Sequence, residues 1–207
     1  MKYRDEYLTI AQPSTGLFKE KGSKFMAFAF PVYNTEQINE ILARLKKEHH
    51  SAQHHCYAYI LGLEGTESRV HDDGEPPHTA GKPILGQIIS RKLTNILIVI
   101  IRYFGGVFLG KGGLARAYKN AAADALNNAS VIKMIQKKIY RLSFEYKELN
   151  NVMKIIGESG SEVISQKYEQ LAQIEISIRK NMVPGVMNKF KLIDKMKVEY
   201  LGVKQQW

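Results

Sequence analysis

Six consecutive apolar residues, Ile96-Leu97-Ile98-Val99-Ile100-Ile101, constrain this chain more than any other feature. A run this long cannot alternate inside and outside, so it reads as a strand over 94–103 buried on both faces. It is far short of the roughly 18–20 residues that span a bilayer. The strand runs straight into a glycine-rich stretch, Gly105-Gly106-Val107-Phe108-Leu109-Gly110-Lys111-Gly112-Gly113, and then into a helical pattern from about Leu114 to Asn128.

The rest of the chain reads around that unit. Early strands fall near 6–10 and 24–32, separated by a turn through Pro13-Ser14-Thr15-Gly16. Asn34 followed three residues later by Gln37 is a helix start, and Ile38, Ile41, Leu42 and Leu45 repeat at helical spacing to about Glu48. Strands follow at 54–61 and 66–71, then an exposed turn at 72–77 and a helix over 83–90. Beyond a boundary near 131–136 the order is strand 138–146, helix 148–158, strands 161–168 and 171–179, helix 184–194 and strand 197–203. That βαββαβ order is the pattern of a ferredoxin-like sandwich. The expected organisation is α+β, with an α/β domain at 1–135 and a smaller ferredoxin-like domain at 136–207.

Charge bears on partners rather than on fold. The chain has 207 residues, 30 Lys/Arg and 20 Asp/Glu, a net charge of +10. Residues 1–135 hold 17 basic against 12 acidic residues and residues 136–207 hold 13 against 8, so the smaller module has the higher charge density. A polyanion such as RNA is the natural partner, and bare solubility is the alternative reading. One cysteine, Cys56, rules out an intramolecular disulfide framework. No apolar core follows the N-terminal charges. The expected compartment is the cytoplasm, with no membrane partner.

Three constellations could carry chemistry. In the first, the glycines of 105–113 expose backbone N–H groups at a helix start, where the helix adds partial positive charge. Arg102 and Arg116 flank the loop and could grip phosphate; Lys111 adds a cation. Tyr103, Phe104 and Tyr118 could stack on bases. The alternative is a tight strand-to-helix turn. Gly105 to Gly112 nearly matches a nucleotide-binding P-loop, but Gly112 stands where a magnesium-holding hydroxyl is needed. The second constellation is Asp72-Asp73-Gly74-Glu75, with Thr79 and Lys82 at the next helix start. Its carboxylates could orient the arginines, cap backbone N–H groups, or bind a divalent cation. The third is His54 and Cys56, on one face of a strand. Zinc binding lacks a second ligand pair, and a Cys–His nucleophile lacks an orienting third group. A buried thiol beside a hydrogen-bonded histidine is the simpler reading. No cofactor fingerprint and no convincing acid, base and nucleophile set appear.

These residues closely resemble the signature of the YigZ/IMPACT family. The resemblance rests on Asp72-Asp73-Gly74-Glu75-Pro76, on Thr79-Ala80-Gly81-Lys82-Pro83, and on Arg102-Tyr103-Phe104-Gly105-Gly106 through Leu109-Gly110 to Gly112-Gly113-Leu114 and Arg116-Ala117-Tyr118. Lys24-Phe25 and His54-x-Cys56-Tyr57-Ala58-Tyr59 also fit. It covers about 1–130 strongly, and 138–207 looks like the C-terminal module of the bacterial members. It implies a two-layer α/β domain of the ribosomal-protein and GHMP-kinase kind, followed by a ferredoxin-like domain. It also implies a link to translation, since eukaryotic IMPACT is a translation regulator, and nucleic-acid binding is the usual inference for bacterial members. Three positions depart from the pattern: Pro77 and His78 replace a small residue and glycine, and Lys111 replaces a small residue. The expected function is RNA or ribosome binding that modulates translation, through Arg102, Tyr103, Gly105, Gly106, Gly110, Lys111, Gly112, Gly113, Arg116, Tyr118, Thr79 and Lys82. Asp72, Asp73, Glu75, His54 and Cys56 would orient that site. An enzyme acting on a phosphorylated small molecule and a protein-binding module of the translation machinery are the rival readings. Oligomeric state is open.

Overall fold

The computed structural model describes residues 5–204; the outer ends of the expected domains, 1–4 and 205–207, lie outside the described residues. Among the described residues the chain divides into two compact units, one of residues 7–133 and one of residues 134–204 together with Asp5 and Glu6.

The first unit contains most of β1 (Glu6–Ile10), then β2 (Ser14–Glu20), β3 (Ser23–Pro31), α1 (Thr35–Glu48), β4 (His54–Leu61), β5 (Glu67–His71), α2 (Gly81–Ser90), β6 (Ile96–Tyr103) and α3 (Gly110–Asn127). Five strands form one antiparallel sheet in the order β2-β3-β6-β4-β5. β6 is its centre, and Ile96 through Ile101 are all buried. Its even positions, Ile96, Ile98 and Ile100, join the core under α2 and α3. Its odd positions, Leu97, Val99 and Ile101, join a second core with Ile38 and Leu45 of α1. Helices therefore cover both faces of the sheet, adding α1 to the two layers that the resemblance implied. This is why the apolar run has no polar side.

Local chemistry sets the boundaries. Asn34 Oδ1 accepts from Gln37 N–H at 2.9 Å, and Gln37 Oε1 accepts from Tyr33 N–H at 2.8 Å, closing the start of α1. Of the expected turn at 13–16, residues 14–16 are instead the start of β2. The hairpin turn is Lys21-Gly22, both with positive φ (45° and 79°), the two-residue geometry that matches strand twist. Gly16 reads as a turn signal in sequence but serves close approach: a Cβ there would sit 2.3 Å from the Ala125 backbone nitrogen of α3. Ile132 and its neighbours, expected to be a boundary segment, form β7 (Val131–Ile135), which pairs with β1.

The second unit runs β8 (Lys137–Phe144), α4 (Leu149–Glu158), β9 (Glu162–Tyr168), β10 (Ala172–Arg179), α5 (Val183–Phe190) and β11 (Lys197–Lys204). Its antiparallel sheet has the order β11-β8-β10-β9, the ferredoxin-like arrangement. Alternate residues Ile174, Ile176 and Ile178 meet Val152, Ile156, Val186 and Phe190 of the two helices. Asp5 and Glu6 belong to this unit because Arg179 holds both, at 2.9 Å and 3.0 Å, and Gln136 N–H donates to the Asp5 carbonyl at 2.8 Å. Among the described residues, no helix is long and apolar enough to cross a membrane.

Candidate functional site

The turn after β5, the end of β6 and the two helices α2 and α3 bring the family-like motifs together, but in two different states. Around the acidic turn the backbone donors are met from within the chain, while His55 Nε2, His71 Nδ1 and Arg102 Nε are buried with no hydrogen-bond partner. Asp72 Oδ1 accepts from the N–H groups of Ala80 (3.0 Å) and Gly81 (2.8 Å), and Oδ2 from that of His78 (2.8 Å). The carboxylate thus sits on the start of α2, where unpaired N–H groups and the helix dipole favour negative charge. Burial alone would raise the Asp72 pKa, but the bonds from Gly81, His78 and Ala80 outweigh it and hold the carboxyl below its ordinary range. Asp73 accepts from His55 N–H at 2.7 Å, and its carbonyl accepts from His54 Nδ1 at 2.8 Å, which fixes the proton of His54 on Nδ1. Thr79 is buried and donates to the Pro76 carbonyl at 2.7 Å.

Glu75 is the hub of a buried network. Its Oε1 accepts from Arg102 Nη1 at 2.6 Å and from the Tyr118 hydroxyl at 2.8 Å, and lies 3.9 Å from His54 Nε2. Cys56 donates to the Asp72 carbonyl at 3.0 Å and lies 3.3 Å from the Tyr118 hydroxyl. Burial pushes the Cys56 thiol far above its ordinary pKa, and the nearby carboxylates Glu75, Asp73 and Asp72 reinforce this against the Tyr118 hydrogen bond. Burial does the same to Tyr118, helped by Cys56 and Glu75. Cys56 is also fully buried, which is the setting of a structural thiol rather than of an accessible nucleophile.

Several expected surface roles are corrected by this network. Arg102 is 5% exposed and Tyr118 fully buried, so neither reaches a ligand as a phosphate clamp or a stacking ring. The Arg102 guanidinium lies between the rings of Phe25 and Phe104, 5.4 Å from each centroid. Tyr103 points to the α1 face, 2.8 Å from His49 Nδ1. Of the expected arginine-orienting acids only Glu75 holds one; Arg116 is exposed and pairs with Glu20 of β2 at 2.8 Å. Asp72 and Asp73 serve backbone groups instead, because the turn must satisfy its own N–H donors. Among the described residues no cluster of three His, Cys, Asp or Glu is arranged to hold a metal ion.

The second state is the start of α3, which the glycines had disguised as loop. The helix begins at Gly110, not near Leu114, and Leu109 at its N-cap offers no side-chain hydrogen bond. Gly105 is explained by packing: a Cβ would fall 1.9 Å from the Gly22 carbonyl carbon. Its N–H is held by Ser23 Oγ at 3.2 Å, and Phe104 N–H by Gln53 Oε1 at 3.2 Å. Gly106 and Gly110 have positive φ (84° and 70°). Gly112 has neither reason, since a Cβ there would meet nothing within 4 Å. Glycine in a helix costs about 1 kcal/mol against alanine, so Gly112 is a sacrifice of stability that leaves the backbone bare. Lys111 and Gly112 are exposed, as is Lys82 in the first turn of α2. Phe108, which the sequence reading passed over, is 86% exposed beside them. An aromatic residue set between Gly106 and Gly110 was its signal in the sequence.

The comparisons agree with the motifs. A family model described as the Impact N-terminal domain matches residues 21–126. An IMPACT family member of Haemophilus influenzae is 31% identical over 182 residues, covering 86% of this chain and 87% of the relative. IMPACT family member YvyE of Bacillus subtilis is 33% identical over 153 residues, covering 74% and 70%. A solved structure described as the crystal structure of a hypothetical protein superposes with a TM-score of 0.70 at 26% identity, covering 98% of this chain and 100% of that one.

Proposed function

The chain belongs to the IMPACT family, and from that premise we propose that it is a nucleic-acid-binding protein that holds the RNA phosphate backbone at the open start of α3 and so regulates translation at the ribosome. The observation that carries the reading is the uncapped first turn Gly110-Lys111-Gly112-Gly113, where no side chain closes the helix start. Free N–H groups and the positive end of the dipole suit a phosphate oxygen, and Lys111 adds a full charge. Exposed Arg116 extends the basic surface along the helix, although Glu20 offsets part of its charge. The net charge of +10, shared equally between the two parts of the chain, supports a polyanionic partner over a small ligand.

The test is fluorescence anisotropy of labelled RNA from about 50 to 200 mM salt, with wild type and Lys111→Glu. Phosphate contacts release counterions, so affinity falls steeply with salt, and the variant binds more weakly with a shallower salt slope. Binding that ignores both salt and Lys111→Glu contradicts the reading. Thermal stabilisation by a small phosphorylated compound, with no RNA binding, would move the site to an enzyme of phosphorylated metabolites.

A further inference from the structure

Resting on that reading, we infer that the loop ahead of α3 is a stacking platform for one unpaired nucleobase, so that the preferred partner is single-stranded rather than duplex RNA. A ladder of flat groups runs outward from the core. Tyr118 meets Phe25 edge-on at 5.1 Å, Arg102 lies over Phe25 and over Phe104, and Phe104 meets Phe108 at 5.3 Å. The inner rungs are fixed: Tyr118 and Phe25 are fully buried, Arg102 is tied to Glu75, and the Phe104 and Gly105 N–H groups are each hydrogen-bonded. The last rung is open, because the Phe108 ring is 86% exposed.

Nothing about folding requires Phe108 to stand there. Leu109, its neighbour, packs against the core. Gly106 and Gly110 turn the backbone on either side with positive φ, presenting Phe108 outward. Phe108 does not stand alone: Phe104 and Val107 are exposed beside it in the same loop, and a contiguous exposed apolar patch is a recognition feature. What surrounds it selects the partner. The bare helix start and Lys111 lie within a few residues in sequence, so the occupant must bring a flat apolar face together with negative charge. A nucleotide supplies both, and an apolar peptide supplies only the first. In a duplex each base face is covered by its stacked neighbours, so only an unpaired or splayed base can lie on Phe108.

The experiment measures binding of one labelled RNA sequence as single strand and as duplex, for wild type, Phe108→Ala and Phe108→Trp. The ring is exposed, so neither variant removes core packing. The inference expects tighter binding of the single strand, a loss of about tenfold in Phe108→Ala on the single strand alone, and retained binding in Phe108→Trp. It also expects single-stranded RNA to quench the Phe108→Trp emission by more than any change it causes in wild type, whose one tryptophan is Trp207. If duplex and single strand bind alike, with the salt dependence intact and Phe108→Ala unaffected, the platform is overturned while the phosphate site stands. If no RNA binds at low salt, both fall.

Discussion

The starts of α2 and α3 are the same chemical object treated in opposite ways. Both follow a glycine-bearing segment, and both present unpaired N–H groups to one end of a helix dipole. At α2 the chain supplies its own anion, Asp72, which takes three N–H donors. At α3 it supplies none, and it places Gly112 where any side chain would fit. On the proposed reading, the closed start belongs to the architecture and the open one to recognition. Substitutions on the closed side should cost stability, whereas those on the open side should cost binding.

The largest expected effect is on the closed side. Arg102→Ala leaves the buried Glu75 carboxyl without its main partner, and urea unfolding should show a loss of about 3–5 kcal/mol. If this variant stayed stable and lost only RNA affinity, Arg102 would belong to the open side and the division would be broken. Gly105→Ala drives a Cβ into the Gly22 backbone and should cost about 1–3 kcal/mol, read by the same unfolding curve. Asp72→Ala strips the cap from α2 and should cost about 1–2 kcal/mol. Because the folded pKa of Asp72 is depressed, its contribution is complete above the ordinary value of 3.8 and fades as pH falls from there through the folded value. The gap between wild type and Asp72→Ala should therefore be full at pH 7 and shrink below pH 3.8. The smallest effect is opposite in sign: Gly112→Ala should stabilise by up to about 1 kcal/mol, since its Cβ meets open space in a helix.

The same division explains what could be read from the residues alone. Strand β6, helix α1 with its Asn34 and Gln37 start, and the βαββαβ order of the second unit all follow from periodicity and caps, which act over a few neighbours. Gly16 and the run from Gly110 to Gly113 misled because glycine has several uses. At Gly16 it admits the α3 backbone, and at Gly110 it opens a helix rather than delaying it. Nor could the pattern show that Arg102 and Tyr118 are buried. A strand-ending arginine and a helical tyrosine read as surface groups until Glu75, 27 and 43 residues away, is seen to hold both. The division of the candidate residues between scaffold and surface depends on long-range contacts that no local pattern shows.

The most direct test is to give α3 the anion that α2 already has. Gly112→Asp places a carboxylate in the first turn of α3, where a Cβ meets no obstruction and negative charge favours the helix. Unfolding and RNA anisotropy are then measured on the one variant. The account predicts unchanged or higher stability with RNA affinity down by at least about tenfold at low salt. A stable Gly112→Asp protein that binds RNA as tightly as wild type would contradict it.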